Sequence, residues 1–145
     1  MIKDASKNLV DVKIHIDAPQ ETVFKYLVDP DLIKRWQPVD ILDARIGGKF
    51  QMSRGEWIAV GDIVELDPPK VIAYTWDWKN APLGVPTIVK FELSKDGDGT
   101  LVRLTHIGIP DAERAKNHEE GWTYYAKRLK IAAEGGDPGP DTAME

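Results

Sequence analysis

The sequence predicts an α+β domain in which a curved antiparallel sheet wraps around a long C-terminal helix. Several short segments before Asp111 alternate apolar and polar side chains, which is typical of half-buried strands. After about Asp111 the apolar residues recur with the period of a helix. This helix is the only predicted element long enough to cover the apolar face of the sheet.

The first elements are a strand and two short helices. Apolar side chains at every second position from Val10 to Ile16 predict a half-buried strand in LVDVKIHI. The segment DAPQETVFKYLVDP predicts a helix with Pro19 just inside its start. Pro30 ends this helix, and DLIKRW predicts a second short helix that Pro38 stops.

The middle of the chain predicts about six antiparallel strands joined by turns. The pair Gly47–Gly48 predicts a two-residue hairpin loop, and DPPK and KDGDGT predict further turns. Gly61 predicts an irregularity inside its strand. In TIVKFELS the inward positions run from Thr87 to Leu93 at every second residue.

The last predicted element is a helix with Trp122, Tyr125 and Leu129 on one apolar stripe. The segment DPGPDTAME after it is rich in proline, glycine and acidic residues, a composition that favours disorder. We therefore expect a single domain at residues 1–134 and a flexible acidic tail at residues 135–145.

Composition excludes several classes of protein. No window approaches the roughly 18 consecutive apolar residues of a membrane span, so no membrane insertion is expected. The first residues carry charges and no apolar run, which predicts that there is no signal peptide and that the protein is cytoplasmic. The chain has no cysteine, and its 24 acidic and 19 basic residues are interspersed without a basic stripe. Nucleic-acid binding is therefore not expected.

Five segments, in this order, resemble the heat-shock-protein-90 ATPase activator homologue-like domain: IDAPQETVFKYLVDPDLIKRW, GGKF, GDIVELDPPKVIAYTW, GTLVRLTHIGI and EEGWTYYAKRL. That domain is a branch of the START-like superfamily, also called helix-grip, birch-pollen-allergen-like or SRPBCC. The resemblance covers about residues 9–133 and implies the helix-grip fold, with a cavity between the sheet and the C-terminal helix. The superfamily includes lipid carriers, cyclases and hydrolases, so the resemblance specifies a fold more closely than an activity.

The resemblance implies that large aromatic side chains face this cavity. In AYTWDW, three rings occupy alternate positions of one strand and would lie opposite the aromatic stripe of the helix. Such rings either fill a solid core or line a hollow for a guest, and the sequence leaves both open. The candidate ligand-binding residues are Trp36, Tyr74, Trp76, Trp78, Val89, Phe91, His106, Trp122, Tyr125 and Leu129.

One position departs from the family pattern. Trp36 stands where the family often has two adjacent aromatic residues, and Gln37 takes the second place. A polar residue at the mouth of a cavity would change the preference for a ligand.

His106 is the candidate catalytic residue. It shares an inward face with Val102 and Leu104, and the ordinary pKa of a histidine suits a ligand anchor or a proton-transfer group. A buried histidine that neighbouring groups satisfy is the alternative and the commoner case. His15 and His118 have no spacing that would complete a metal site with His106, so no metal and no cofactor is expected.

Three functions remain open. The favoured one is the binding of an apolar or aromatic small molecule, or of a lipid, in the cavity. An enzyme of the cyclase or hydrolase type would use the same cavity, although no nucleophile is identifiable. A co-chaperone-like module that contacts a chaperone is the third. The sequence marks no oligomer interface, so a monomer and a dimer are both open.

Overall fold

Seven antiparallel strands form one sheet in the computed structural model, which describes residues 9–142. The elements are, in chain order, β1 (Val10–Ile16), α1 (Gln20–Val28), α2 (Pro30–Ile33), β2 (Val39–Leu42), β3 (Lys49–Arg54), β4 (Trp57–Asp67), β5 (Val71–Trp78), β6 (Thr87–Asp96), β7 (Gly99–Ile107) and α3 (Ala112–Ala133). The strands lie in the order β1-β7-β6-β5-β4-β3-β2. The sheet bends around α3, and two short helices separate β1 from β2. The predicted helix-grip α+β fold is confirmed.

Alternation along the strands builds the core, as the sequence predicts. Val10 and Ile16 of β1 are buried, and β1 pairs with β7 so that Val10 lies opposite His106. On β6, every second residue from Thr87 to Leu93 is buried. Because successive side chains of a strand point to opposite faces, this pattern directs one whole face of the sheet toward α3.

The predicted two-residue hairpin at Gly47–Gly48 is wrong. The connection between β2 and β3 spans six residues, 43–48, and the glycines form its last two. Gly47 donates its N–H to the Ile63 carbonyl, and the Ile63 N–H is donated to the Gly48 carbonyl. A side chain at Gly48 would collide with the Asp43 carbonyl. Gly47 has a φ of +81° in the turn that the Gly48 N–H closes on the Arg45 carbonyl, and Gly48 has no room for a side chain, so both glycines are needed by the loop itself.

The tight hairpin lies instead between β3 and β4, where Gly55 and Glu56 make a two-residue loop. β4 continues through Gly61, whose missing side chain lets the Thr75 carbonyl approach. The register shift in this strand occurs between Ile63 and Glu65. The irregularity predicted at Gly61 is thus displaced along the strand by a few residues.

Helix α1 begins at Gln20, with Pro19 at its N-cap, and buries Val23, Phe24 and Leu27. These three residues pack on the core as their helical spacing requires. Asp29 then caps the single turn of α2 by accepting hydrogen bonds from the backbone N–H groups of its first residues.

Helix α3 has a capped N-terminus, and its C-terminal end is bonded to the end of β1. Asp111 caps its N-terminus by accepting from the Arg114 N–H at 2.8 Å. Near its C-terminus, Lys130 donates to the His15 carbonyl, and Glu134 accepts from the backbone N–H of Asp17. The buried face of α3 includes the predicted stripe of Trp122, Tyr125 and Leu129, and it continues through Ala132 and Ala133.

The part of the predicted tail that the structure describes, residues 135–142, lies against α3. Arg128 donates to the carbonyls of Pro138, Gly139 and Pro140, and Asp141 accepts from the Tyr125 hydroxyl. Residues 143–145 of the tail and residues 1–8 of the domain lie outside the described residues. The division between a domain at 1–134 and a flexible tail stays a prediction.

Candidate functional site

Aromatic rings fill most of the space between the sheet and α3. Tyr74 stacks on Phe50 with ring centroids 4.4 Å apart, and Trp76 packs against Trp122 at 5.1 Å. Phe91 meets Trp122 edge-on at 6.0 Å. These distances are those of ordinary aromatic packing. Over this part of the interior the rings form a solid core.

A small cavity remains where the sheet and α3 diverge. Its lining residues are Met52, Arg54, Trp76, Trp78, His118, Gly121, Trp122 and Tyr125. Its volume is about 20 Å³. Because roughly 10–15 Å³ holds one water molecule, the cavity has room for water and not for a drug-sized ligand.

A larger open groove continues from this cavity to the surface, and we call it the α3 groove. Its volume is about 390 Å³, which is within the range of small-molecule sites. It shares Arg54, Trp78 and His118 with the cavity, so these three side chains lie between the two spaces. The lining residues of the α3 groove are Arg54, Trp57, Trp78, Ala81, Leu83, Arg114, Asn117 and His118.

His106 is fully buried and both of its ring nitrogens have partners. Trp122 Nε1 donates to His106 Nδ1 at 3.2 Å, which leaves Nε2 to donate to the Thr87 hydroxyl at 3.0 Å. The Thr87 hydroxyl donates in turn to the Trp76 carbonyl. Burial, followed by the charge of His118, lowers the pKa of His106 to about 3. These contacts favour a neutral structural histidine, and a role in proton transfer stays a prediction.

His118 is also held in one tautomer. Its Nδ1 donates to the Arg114 carbonyl at 2.6 Å, and its Nε2 accepts from Trp78 Nε1 at 3.0 Å. Burial is the main cause that lowers its pKa, and the cations Arg54 and Arg114 lower it further. The imidazole is therefore neutral near neutral pH and fixes the Trp78 ring between the cavity and the α3 groove.

Arg54 brings a cation to the same boundary. Its guanidinium carbon lies 5.6 Å from the centre of the Tyr125 ring. A Cβ at position 121 would be 3.2 Å from Arg54 Nη1, so the helix-interior Gly121 leaves space for this side chain. Arg54 Nε and Trp76 Nε1 are both buried without a hydrogen-bond partner. The cavity thus has two residues with an unsatisfied donor.

A second set of unsatisfied polar atoms lies deeper in the core. Neither the side-chain amide of Gln37 nor the hydroxyl of Tyr74 makes a hydrogen bond. Burial raises the pKa of Tyr74, while the neighbouring Gln37 side chain opposes this rise. The two groups are therefore close without being aligned for a bond within normal geometry. Gln37 is buried, so it does not border the mouth of a cavity.

The structure separates the ten predicted ligand-binding residues into groups. Four of them line the cavity: Trp76, Trp78, Trp122 and Tyr125. His106 does not line it, but its ring centroid lies 5.1 Å from that of His118, which does. The others are packed in the core and line neither the cavity nor the α3 groove: Trp36, Tyr74, Val89, Phe91 and Leu129. Whether any of the ten binds a ligand stays a prediction.

Sequence reasoning missed several residues of the site. Met52 and Arg54 occupy alternate positions of β3 and so share its inward face, a pattern that the sequence shows once the β3–β4 hairpin is placed. Trp57 follows that hairpin, and 41% of its surface is exposed. Leu83 lies in a loop without periodicity. No sequence signal could have assigned it to a groove.

Within residues 9–142, no three histidine or carboxylate side chains cluster closely enough to hold a metal ion. His15 lies on the polar face of β1, where its ring nitrogens contact Asp17 and Asp96. Among the helices of that range, none is sufficiently long and apolar to cross a membrane.

Comparison with known proteins places the chain in a family. The family model for Activator of Hsp90 ATPase homolog 1-like protein matches residues 17–134. Protein CV1439 from Chromobacterium violaceum is 28% identical with a TM-score of 0.79, over 93% of this chain and 99% of that chain. CalU16 from Micromonospora echinospora is 28% identical with a TM-score of 0.73, over 88% of this chain and 76% of that chain.

A third structure supports the fold alone. The Aha1 dimer from Colwellia psychrerythraea is 24% identical with a TM-score of 0.76, over 88% of this chain and 97% of that chain. None of the curated proteins compared with the chain matches it. Because the family model spans most of the domain, from the end of β1 through α3, the chain belongs to the family of Activator of Hsp90 ATPase homolog 1-like proteins.

Proposed function

We propose that the domain binds a small apolar or aromatic molecule, or a lipid, in the α3 groove. The observation that carries this proposal is the groove itself, about 390 Å³ with Trp57, Trp78, Ala81 and Leu83 in its wall. Ligand sites combine mostly apolar walls with a few polar groups, and here Arg54 is one such group. The solid aromatic core beneath it holds these walls in place.

Binding of the neutral fluorescent probe N-phenyl-1-naphthylamine tests this proposal. We expect saturable binding, and we expect Trp57→Ala to weaken it by about tenfold or more, because exposed tryptophans in binding sites are frequent hot spots. The control is Ile131→Ala on α3, since Ile131 is 42% exposed against 41% for Trp57 and does not line the groove. Absence of saturable binding, or equal losses in the two variants, would contradict the proposal.

The family match favours a co-chaperone role as the second candidate, since the family is described by homology to an activator of Hsp90 ATPase. Stimulation of a purified Hsp90 ATPase by this domain is the direct assay. A rate that does not change at saturating domain concentration removes this candidate and leaves the binding proposal unaffected.

A further inference from the structure

We propose that the guest of the α3 groove is a small aromatic carboxylate, with its carboxylate at Arg54 and its ring against Trp57 and Trp78. This inference rests on the proposed function, which places an apolar guest in the same groove. It adds the charge and the shape of that guest. The charge follows from the Arg54 guanidinium, for which the described part of the protein supplies no ion-pair partner.

The two unsatisfied atoms at the cavity can only donate. Arg54 Nε and Trp76 Nε1 are buried without partners, and both residues line the cavity. A guanidinium and an indole N–H have no lone pair to accept with, so the group that completes them must be an acceptor. Leaving such donors unpaired costs free energy. A water in the cavity suits Trp76 Nε1, whereas Arg54 also lines the α3 groove, where the carboxylate of a guest can accept from its guanidinium.

The charge of Arg54 is not compensated nearby. Among the ion pairs formed within residues 9–142, none includes Arg54. Neither the cavity nor the α3 groove has a carboxylate in its lining. Arg114, the other cation of the groove, pairs with Asp111 at 2.6 Å. An anionic guest can therefore pair with Arg54 without breaking an existing salt bridge.

Two acidic residues, Glu120 and Asp141, lie near Arg54 but do not line the α3 groove. Glu120 shares with Arg54 a separate surface depression next to Thr142. Asp141 accepts hydrogen bonds from the hydroxyls of Tyr124 and Tyr125. Both carboxylates lie outside the α3 groove, so the face of the guanidinium toward that groove is available to a guest.

The shape of the acceptor follows from the way Arg54 is held. The guanidinium lies over the Tyr125 ring, and Gly121 leaves room for Nη1. A planar guanidinium held in one orientation matches the two oxygens of a carboxylate better than it matches a single oxygen. His118 offers the guest neither a charge nor a free nitrogen, because both of its nitrogens are bonded within the protein.

The body of the guest follows from the groove wall. The rings of Trp57 and Trp78 lie 6.5 Å apart at an angle of 78°, which leaves each of them a face or an edge for a further ring. Leu83 is buried in the same wall. A guest with a flat aromatic ring next to its carboxylate therefore fits the groove, with the ring against Trp57 and Trp78 and the carboxylate at Arg54.

The test compares 2-naphthoate with 2-naphthalenemethanol, which has the same ring and no charge, by isothermal titration calorimetry at low salt. We expect the wild type to prefer the anion by about tenfold or more, as a charge-assisted hydrogen-bonded pair provides. In Arg54→Met the ratio of the two affinities should fall to about one. In Arg54→Lys it should be intermediate, because a lysine keeps the charge but lacks the paired N–H groups that bind both carboxylate oxygens. Arg45→Met, at an exposed arginine paired with Asp43, is the matched control and should keep the wild-type ratio.

Each outcome has a distinct meaning. Equal binding of the two probes by the wild type overturns the carboxylate assignment and leaves the proposed apolar site intact. A preference that survives in Arg54→Met overturns the role of Arg54. If neither probe binds the wild type, the proposed function fails together with this inference. The wild-type ratio needs no variant, so misfolding of Arg54→Met would still leave the assignment open to refutation.

Discussion

The His106 side chain connects three elements through its two ring nitrogens. From β7 it donates to Thr87 on β6, and it accepts from Trp122 on α3. The Thr87 hydroxyl in turn donates to the Trp76 carbonyl and so links these elements to β5. Protonation of His106 Nδ1 would remove the acceptor of the Trp122 N–H and would place a charge in an aromatic core. Burial of that charge, followed by the charge of His118, accounts for the lowered pKa of His106.

The first prediction concerns the pH dependence of stability. The pKa of His106 falls from 6.5 to about 3 on folding, so between these values the unfolded chain binds a proton that the folded chain does not. The free energy of unfolding therefore falls as the pH falls through this window, by up to about 1.4 kcal/mol per pH unit. Urea unfolding between about pH 6.5 and pH 5 measures this slope, because most carboxylates titrate at lower pH.

His106→Gln should be less stable than wild type at neutral pH and should show a slope reduced by about one proton in that window. His118 has a lowered pKa as well, so part of the slope remains. His15→Gln is the control of opposite sign, because Asp96 and Asp17 raise the pKa of the exposed His15. An unchanged slope in His106→Gln would show that folding does not lower the pKa of His106.

At the scale of elements, α3 joins the groove to the C-terminal segment. Arg128 is buried on this helix, and its Nε donates to the Trp36 carbonyl at 3.1 Å. Its Nη1 donates to three carbonyls of residues 138–140. The guanidinium carbon also lies 5.9 Å from the centre of the Tyr124 ring. One side chain thus holds both the α2–β2 connection and the C-terminal segment on the helix.

The second prediction is that Arg128→Met destabilises the domain and releases residues 137–142. Loss of a buried charged donor leaves several carbonyls unpaired, so we expect a loss of about 2–4 kcal/mol in the free energy of unfolding. Hydrogen–deuterium exchange should show faster exchange in the C-terminal segment. The exposed neighbour Lys127→Met is the control and should change neither quantity. Unaltered exchange in Arg128→Met would mean that other contacts hold the segment.

At the scale of the whole molecule, the α3 groove lies where three parts of the chain meet. The β3–β4 hairpin supplies Arg54 and Trp57, the β5–β6 loop supplies Leu83, and α3 supplies His118. Asn80 ties the loop to the hairpin, since its side chain donates to the Glu56 carbonyl. A guest in the groove would contact all three parts at once. Binding should therefore stabilise the folded domain as a whole.

The third prediction is a shift in the thermal unfolding midpoint. At about 100 times its Kd, a ligand of the folded state adds about 2.7 kcal/mol, which corresponds to roughly 5–10 °C for a domain of this size. Differential scanning calorimetry with N-phenyl-1-naphthylamine measures this shift. Trp57→Ala should reduce it at the same probe concentration. Fluorescence binding without any rise in the midpoint would indicate association with the unfolded chain.

The architecture could be predicted from local patterns, whereas most of the site could not. Alternation from Thr87 to Leu93 predicts which side of β6 is buried, and the helical spacing of Trp122 and Tyr125 predicts the inner stripe of α3; both are observed. The length of the loop at Gly47–Gly48 is not predicted correctly, because the loop is bonded to Ile63 of β4, which is distant in sequence. Pairing across distant strands has no signature in a short window of sequence.

The sequence by itself determined the order of the elements, the faces that they bury and the family, because these follow from periodicity, turn residues and motifs along the chain. Only the tertiary structure decided that AYTWDW belongs mainly to a packed core, and that the α3 groove opens beside Trp78. It also decided that Arg54 stands there without an acceptor. The physical reason is that packing volume and unsatisfied hydrogen bonds depend on side chains brought together from distant parts of the chain.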